Sequence, residues 1–330
     1  MKNIHWFEAK QLDRVTNFST EIEIIKAANK HNITFKYYCT YNKSKKYYNL
    51  KKNINYLGIT NNKYVKFLSF NLFVFFISLK LILYENNNII MVNQDLVKSV
   101  MFSNIINRLF GKTNKFIIDI RTTPTVPSTF KRDMSKFHFN FGLAIKYFDG
   151  YSFITPFMKN VLLEPYITEK PSVTWSSGVD LNLFKISNFK KTNSKNPFTL
   201  FYHGGISESR GNLTLIQACE ILINKGIDIR LIQVGICVDQ SIVNYINENN
   251  LNSWCELLPP VPLEKIPQYI TNSDLPILPF PNFMAWRVSS PIKLMEYLAM
   301  GKKVLAPNIE AFTDVFENNE ELIFYYDINK

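Results

Sequence analysis

Short apolar runs separated by stretches of helical periodicity limit this chain to very few architectures. The runs fall at residues 4–7, 33–39, 89–92, 116–120 and 151–155 in the first half. They resume at 198–203, 229–234, 275–279, 303–306 and 322–325 in the second. Between them, residues 19–30, 95–110, 212–225 and 291–300 repeat apolar positions at helical spacing. Such alternation predicts parallel sheets covered by helices on both faces. KFIIDI and DIRLIQV read as strands buried on both sides, because no polar face alternates through them. With 46% hydrophobic residues, each half can bury its own core. The polar, Asn- and Ser-rich stretch KISNFKKTNSKNP then reads as a linker. The organisation expected is a first domain over 1–184, a linker over 185–197 and a second domain over 198–330. Two doubly wound α/β domains facing across a cleft would hold ligands in that cleft.

Charge is divided unevenly. Residues 1–184 hold 25 Lys and Arg against 12 Asp and Glu, a net of +13, while residues 185–330 hold 13 against 15, a net of −2. The first half therefore favours anionic partners such as phosphorylated lipid or an anionic membrane surface, or is simply a basic solvated surface. No nucleic-acid-binding module is recognisable, so a nucleic-acid partner is not expected. The basic, aromatic loop YNKSKKYY at 41–48, followed by Lys51 and Lys52, fits lipid headgroups as well as it fits plain solvent. The opening MKNIHWFEAK has no signal-peptide core or cleavage site. The four cysteines stand singly, which suits a reducing cytoplasm. FLSFNLFVFFISLKLILY, at 67–84, is long enough to span a bilayer, but Asn71 and Lys80 interrupt it. It is expected to be a buried or interfacial helix, leaving the protein cytoplasmic or peripheral at the inner membrane face.

Two stretches carry the chemistry. In FTLFYHGGISESRGNLTLIQAC, Gly204 and Gly205 follow a strand, and Arg210 and Gly211 precede an amphipathic helix. Glycines allow close backbone approach, a helix start favours an anion, and an arginine can fork onto phosphate. A tight turn with a solvent-facing arginine fits the same residues. In SSPIKLMEYLAMGKKVLAP, Ser289 or Ser290 is a candidate helix cap and Pro291 suits the first turn. Lys293 and Glu296 lie three apart on a face separate from Ile292, Met295, Leu298 and Ala299. A cation near a helix start suits an anion, and a carboxylate one turn later suits vicinal hydroxyls. A surface ion pair is the plainer alternative.

Taken together, these stretches resemble the donor-binding region of glycosyltransferase family 4 and its group 1 relatives, which share the GT-B fold. The counterparts are Gly204, Gly205, Arg210 and Gly211, then Glu296-Tyr297-Leu298-Ala299-Met300-Gly301 followed by KKVLA. CELLPPVPLEKIPQYITNSDLPILPF and TWSSGVDLNLF, with Gly178, Val179 and Asp180, resemble the intervening and junction segments. The likeness runs from about residue 150 to 326, with its elements in the family order. It implies that Arg210 holds the leaving diphosphate, joined by Lys293 and the Ser290–Pro291 backbone. Glu296 would bind the donor ribose, while Val234, Gly235 and the Pro260–Val261 turn would border the base. Asp119 and Arg121, in IIDIRTTPTVPSTF, resemble the acceptor-cleft edge, or else form a structural network with each other.

The activity implied is hexosyl transfer from a UDP- or GDP-sugar to a glycan or lipid-linked acceptor. The resemblance further implies retention of anomeric configuration, no cofactor and no metal, in cell-envelope polysaccharide assembly. The chain has no Asp-x-Asp, in keeping with this. Some positions depart from the family pattern. Val288 stands where a donor-contacting Glu is common, Gly205 where Arg is common, and Asn93 where many members have His. WFEAKQLDR has no glycine-rich loop, and the sequence stops after the strand at 322–325, where members continue with further helices. A nucleotide-sugar epimerase on the same fold, or an inactive, truncated nucleotide-sugar-binding relative, are the alternatives.

Overall fold

In the computed structural model, which describes residues 3–10, 19–40, 52–57, 62–191, 197–316 and 321–328, the apolar runs form parallel sheets in two separate units. The units are Met1–Ser176 and Ser177–Lys330. The polar stretch 185–197 belongs to the second unit, and residues 192–196 of it lie outside the described residues. So does the basic loop 41–48 with Lys51.

The first unit runs β1 (Ile4–Phe7), α1 (Ser19–Lys30), β2 (Phe35–Cys39), β3 (Ile54–Tyr56), α2 (Lys63–Tyr84), β4 (Ile89–Val92) and α3 (Val97–Leu109). It continues with β5 (Lys115–Ile120), α4 (Phe130–Tyr147), β6 (Gly150–Phe153), α5 (Pro156–Leu163) and β7 (Ser172–Thr174). Its seven strands lie in the order β3-β2-β1-β4-β5-β6-β7, and every neighbouring pair is parallel. The order reverses between β1 and β4, the place where ligands of doubly wound sheets usually sit. Local chemistry sets the joints. Thr155 caps α5 by accepting from Met158 N at 3.1 Å, and Pro156 takes the first turn, where its missing N–H has no partner to lose.

The second unit runs β8 (Phe198–His203), α6 (Asn212–Asn224), β9 (Ile229–Val234), α7 (Gln240–Glu248), β10 (Cys255–Leu258) and α8 (Ile266–Asn272). Then come β11 (Leu275–Pro276), α9 (Met284–Arg287), α10 (Ile292–Ala299), β12 (Val304–Pro307), α11 (Glu310–Phe316) and β13 (Ile323–Tyr326). The sheets β10-β9-β8-β11 and β12-β13 are joined by a parallel bridge between Ile277 and Leu305. This repeats the first unit's winding. Phe201 and Tyr202 on β8, Leu231 on β9 and Val304 on β12 are fully buried at the centre of one core. Each such side chain contributes roughly 1.5–3 kcal/mol.

The structure departs from the sequence expectations in three places. The first unit has two further edge strands, β3 and β7, each of three residues. The 67–84 segment lies in α2, and with 28% of its apolar window buried, the first of the two expectations, a buried helix, does not describe it. The α10 cap is neither Ser289 nor Ser290. Pro291 occupies the cap position without a side-chain bond, because Ser289 Oγ donates to Trp286 O and Ser290 is bound to Ser177.

Candidate functional site

The C-terminal edge of the second sheet gathers most of the sequence-predicted residues. β8 runs into Gly204, whose φ of +117° suits glycine, and a Cβ there would come 2.3 Å from Lys293 Cε. Gly204 N donates to Val234 O at 2.8 Å, and Gly235 N to Leu258 O at 2.9 Å. Any side chain on Gly235 would strike the Gly204 carbonyl. The two glycines thus let the β8 and β9 turns touch, with Lys293 reaching beneath Gly204 from the first turn of α10.

Arg210 ends the short turn before α6. A Cβ on Gly205 would lie 3.5 Å from its Nε, and its guanidinium stands 4.9 Å from the Trp286 ring centre. Trp286 is itself fixed, donating from Nε1 to Ser209 O at 2.8 Å and stacking on Phe280. Among the described residues, neither Arg210 nor Lys293 has a carboxylate in ion-pair range. Burial, then the nearby Arg210 guanidinium, push the Lys293 ammonium down to about 8, with Glu296 opposing them. Arg210, Lys293 and Glu296 therefore share one place. Two neighbouring cations with no carboxylate in ion-pair range among the described residues, beside glycine turns and helix starts, suit an anion.

Glu296 is buried. Its Oε2 accepts from His203 Nε2 at 2.7 Å, and His203 Nδ1 lies 3.0 Å from the Tyr297 hydroxyl. Burial holds the Tyr297 phenol well above its ordinary range, so it keeps its proton. A carboxylate oxygen only accepts, so the ring nitrogen facing Glu296 is the donor. The pattern pins one carboxylate oxygen by His203 and leaves the other to meet hydroxyls. His203 and Trp286 are the site residues the sequence reading missed. His203 directly precedes the glycine pair, and that adjacency was the available signal.

The other predicted residues have more modest places. Val234 ends β9 in the core, so its backbone and not its side chain faces the turn. Val261 is part-buried beyond β10, and Pro291 is buried at the α10 start. Ser290 Oγ accepts from Ser177 N at 3.0 Å, and its carbonyl accepts from Ser177 Oγ at 2.8 Å. Its side chain thus ties down the junction segment. Val288 is buried and apolar.

Asp119 and Arg121 belong to the first unit. Asp119 Oδ1 accepts from Ser152 Oγ at 2.6 Å, and Ser152 Oγ accepts from Trp175 Nε1 at 2.6 Å. Arg121 Nη1 donates to Trp175 O at 2.7 Å, with the guanidinium 3.6 Å from the Trp175 ring centre. The Asp119 Oδ2 is buried with no partner among the described residues, and burial pushes that carboxyl up to about 6. Nearby, Lys10 bonds Glu8 at 2.8 Å and Glu21 at 2.6 Å, and Tyr37 donates to Glu8 at 3.0 Å. Burial lifts Glu8 to about 7 against the pull of Lys10. Among the described residues, no cluster of three or more His, Cys, Asp or Glu is placed to hold a metal.

Residues 197–328 match the family model described as glycosyl transferases group 1. No curated protein sequence matches. Solved structures are similar across nearly the whole chain. HepE from Anabaena, in complex with UDP-glucose, is 15% identical with a TM-score of 0.69, covering 99% of this chain and 86% of that one. A glycosyltransferase from Rickettsia africae is 18% identical with a TM-score of 0.67, covering 100% and 85%. Sucrose-phosphate synthase from Thermosynechococcus elongatus is 11% identical with a TM-score of 0.69, covering 100% and 87%. At these identities the likeness establishes the fold, GT-B.

Proposed function

We propose that the protein transfers a hexosyl group from a UDP- or GDP-sugar to a glycan or lipid-linked acceptor, a reading supported by the match of residues 197–328 to the group 1 glycosyl transferase model. The observation that carries this reading is the meeting of Arg210, Lys293 and Glu296 beside Gly204 and Gly205. The two cations and the first turns of α6 and α10 would take the diphosphate. The free oxygen of Glu296 would take the ribose hydroxyls, and the Gly235 and Val261 turns would border the base. HepE has been seen with UDP and UDP-glucose, which supports a nucleotide-sugar donor here.

In this reading the bond between the anomeric carbon and the diphosphate oxygen breaks on the face where the acceptor oxygen attacks. Configuration is retained, and the acceptor proton passes to the leaving phosphate. Arg210 and Lys293 would neutralise the developing charge without a metal. Asp119 and Arg121 in the first unit would meet the acceptor, and cell-envelope polysaccharide assembly is the setting that suits it. A binding protein without transfer is the second reading, favoured by the apolar Val288 where a donor-contacting carboxylate is common.

Titration calorimetry with UDP and GDP tests the donor site. Because Lys293 sits near 8 when the site is empty, an arriving diphosphate should raise its pKa. Binding at pH 9 is then expected to take up a proton, and affinity to fall by roughly tenfold per unit above the empty-site value. No nucleotide binding, or binding without proton uptake, would remove the assignment. Acceptor-dependent release of nucleotide from the bound donor then separates transfer from binding alone.

A further inference from the structure

α2 is apolar over most of its circumference, interrupted by Lys66, Asn71 and Lys80, yet the fold fully buries only one stripe of it. Phe70, Val74, Ser78 and Ile82 are fully buried, and Ser78 Oγ bonds Ser103 Oγ of α3 at 2.8 Å. The opposite stripe, Tyr64, Leu68, Leu72, Phe76 and Leu83, is 50–84% exposed. Leu109 and Phe110, at the end of α3, which packs on α2, are also bare at 78% and 70% exposed. A helix this apolar is normally covered on all sides, and a contiguous apolar patch of this extent marks an interaction surface.

Charge selects the occupant. Neither α2 nor α3 contains an Asp or Glu, while Lys80 and Lys98 are exposed on them. The first half carries +13 overall. A second copy would bring the same positive field against this one, whereas an anionic surface is attracted. The mean hydropathy of 2.0 would suit a crossing helix. Crossing, however, would strip the Phe70–Ile82 stripe and the Ser78–Ser103 bond from the unit. The helix ends point the same way. Tyr64 and Tyr84 are 84% and 80% exposed, and phenol rings at both ends suit a helix lying at headgroup depth.

We propose that the α2–α3 face docks on an anionic lipid bilayer, with α2 in the plane of the interface and its Tyr64–Leu83 stripe in the acyl boundary. This rests on the first unit alone and not on the donor site. The test is flotation of the purified full chain with phosphatidylcholine vesicles, with and without phosphatidylglycerol. Flotation is expected with the anionic vesicles, at least about tenfold stronger than with neutral ones and weakened by salt. Leu72→Asp and Phe76→Asp should each reduce it by about tenfold or more. Ile167→Asp, at a fully exposed position off this face, should float like the parent. Unchanged thermal melting of the Asp variants shows that they remain folded. The proposal is overturned if the parent does not float, if the folded Asp variants float normally, or if sedimentation shows a parent dimer that Leu72→Asp makes monomeric.

Discussion

At the C-terminal edge of the second sheet, Arg210 and Lys293 stand without a carboxylate among the described residues. At the same edge of the first sheet, Lys10 is shared between Glu8 and Glu21, and Arg121 is spent on Trp175. Both edges belong to one strand order, so the topology did not decide the difference. Net charge runs the other way, +13 in the first half and −2 in the second. Among the described residues, the unit with more cations overall engages Lys10 and Arg121 at its sheet edge internally, and the unit with fewer leaves Arg210 and Lys293 without a carboxylate in ion-pair range. A summed charge reports the field seen from a distance. What a site offers a ligand is charge its own neighbours have not already paired.

The largest expected effect comes from breaking this contrast at its cationic end. Arg210→Ala should weaken UDP or GDP binding by about a hundredfold, the loss of two charge-assisted bonds. Arg121→Ala should leave nucleotide affinity within about twofold, since that guanidinium already serves Trp175. Calorimetry on the two variants side by side decides the matter, and equal losses would erase the distinction between the edges. The next effect is smaller. Gly204→Ala places a Cβ against the flexible end of Lys293 at a φ of +117°. Stability should fall by about 1–3 kcal/mol from the backbone strain, and nucleotide affinity should drop as far as in Lys293→Met. A variant that melts lower but binds normally would show that Lys293 does not need its place under the glycine.

How much of this was legible in the sequence depended on how local each signal is. β5 and β8 were readable because no polar face alternates with their apolar residues, and their burial on both faces follows from that. β3 and β7 were not, since three residues are too few to show a period. α2 was readable as a helix, but one apolar over most of its surface cannot announce which stripe is covered. The same divide holds in the site. Gly204, Gly205 and Arg210 lie within one turn, as do Lys293 and Glu296. His203, by contrast, meets Glu296 across 93 positions, and Trp286 meets Ser209 across 77. The Ser290 cap failed for that reason too, because a partner 113 positions away took its hydroxyl.

The smallest expected effect tests the closed edge of the first unit. Burial lifts Asp119 from 3.8 to about 6, so between those values the folded protein holds a proton that the unfolded chain has released. The contribution of this group to stability is therefore most favourable below the unfolded value. It declines as pH rises toward 6 and is flat above that. Asp119→Asn keeps an oxygen to accept from Ser152 but removes the titration. Relative to the parent, the variant should gain about 1–2 kcal/mol of stability between pH 4.5 and 7. Urea denaturation of both proteins across that range measures it, and the many carboxylates that titrate alike in both cancel in the difference. A pH-independent difference would mean that Asp119 ionises freely. The first edge would then hold an available charge just as the second does, and the contrast between the two units would reduce to the sign of that charge.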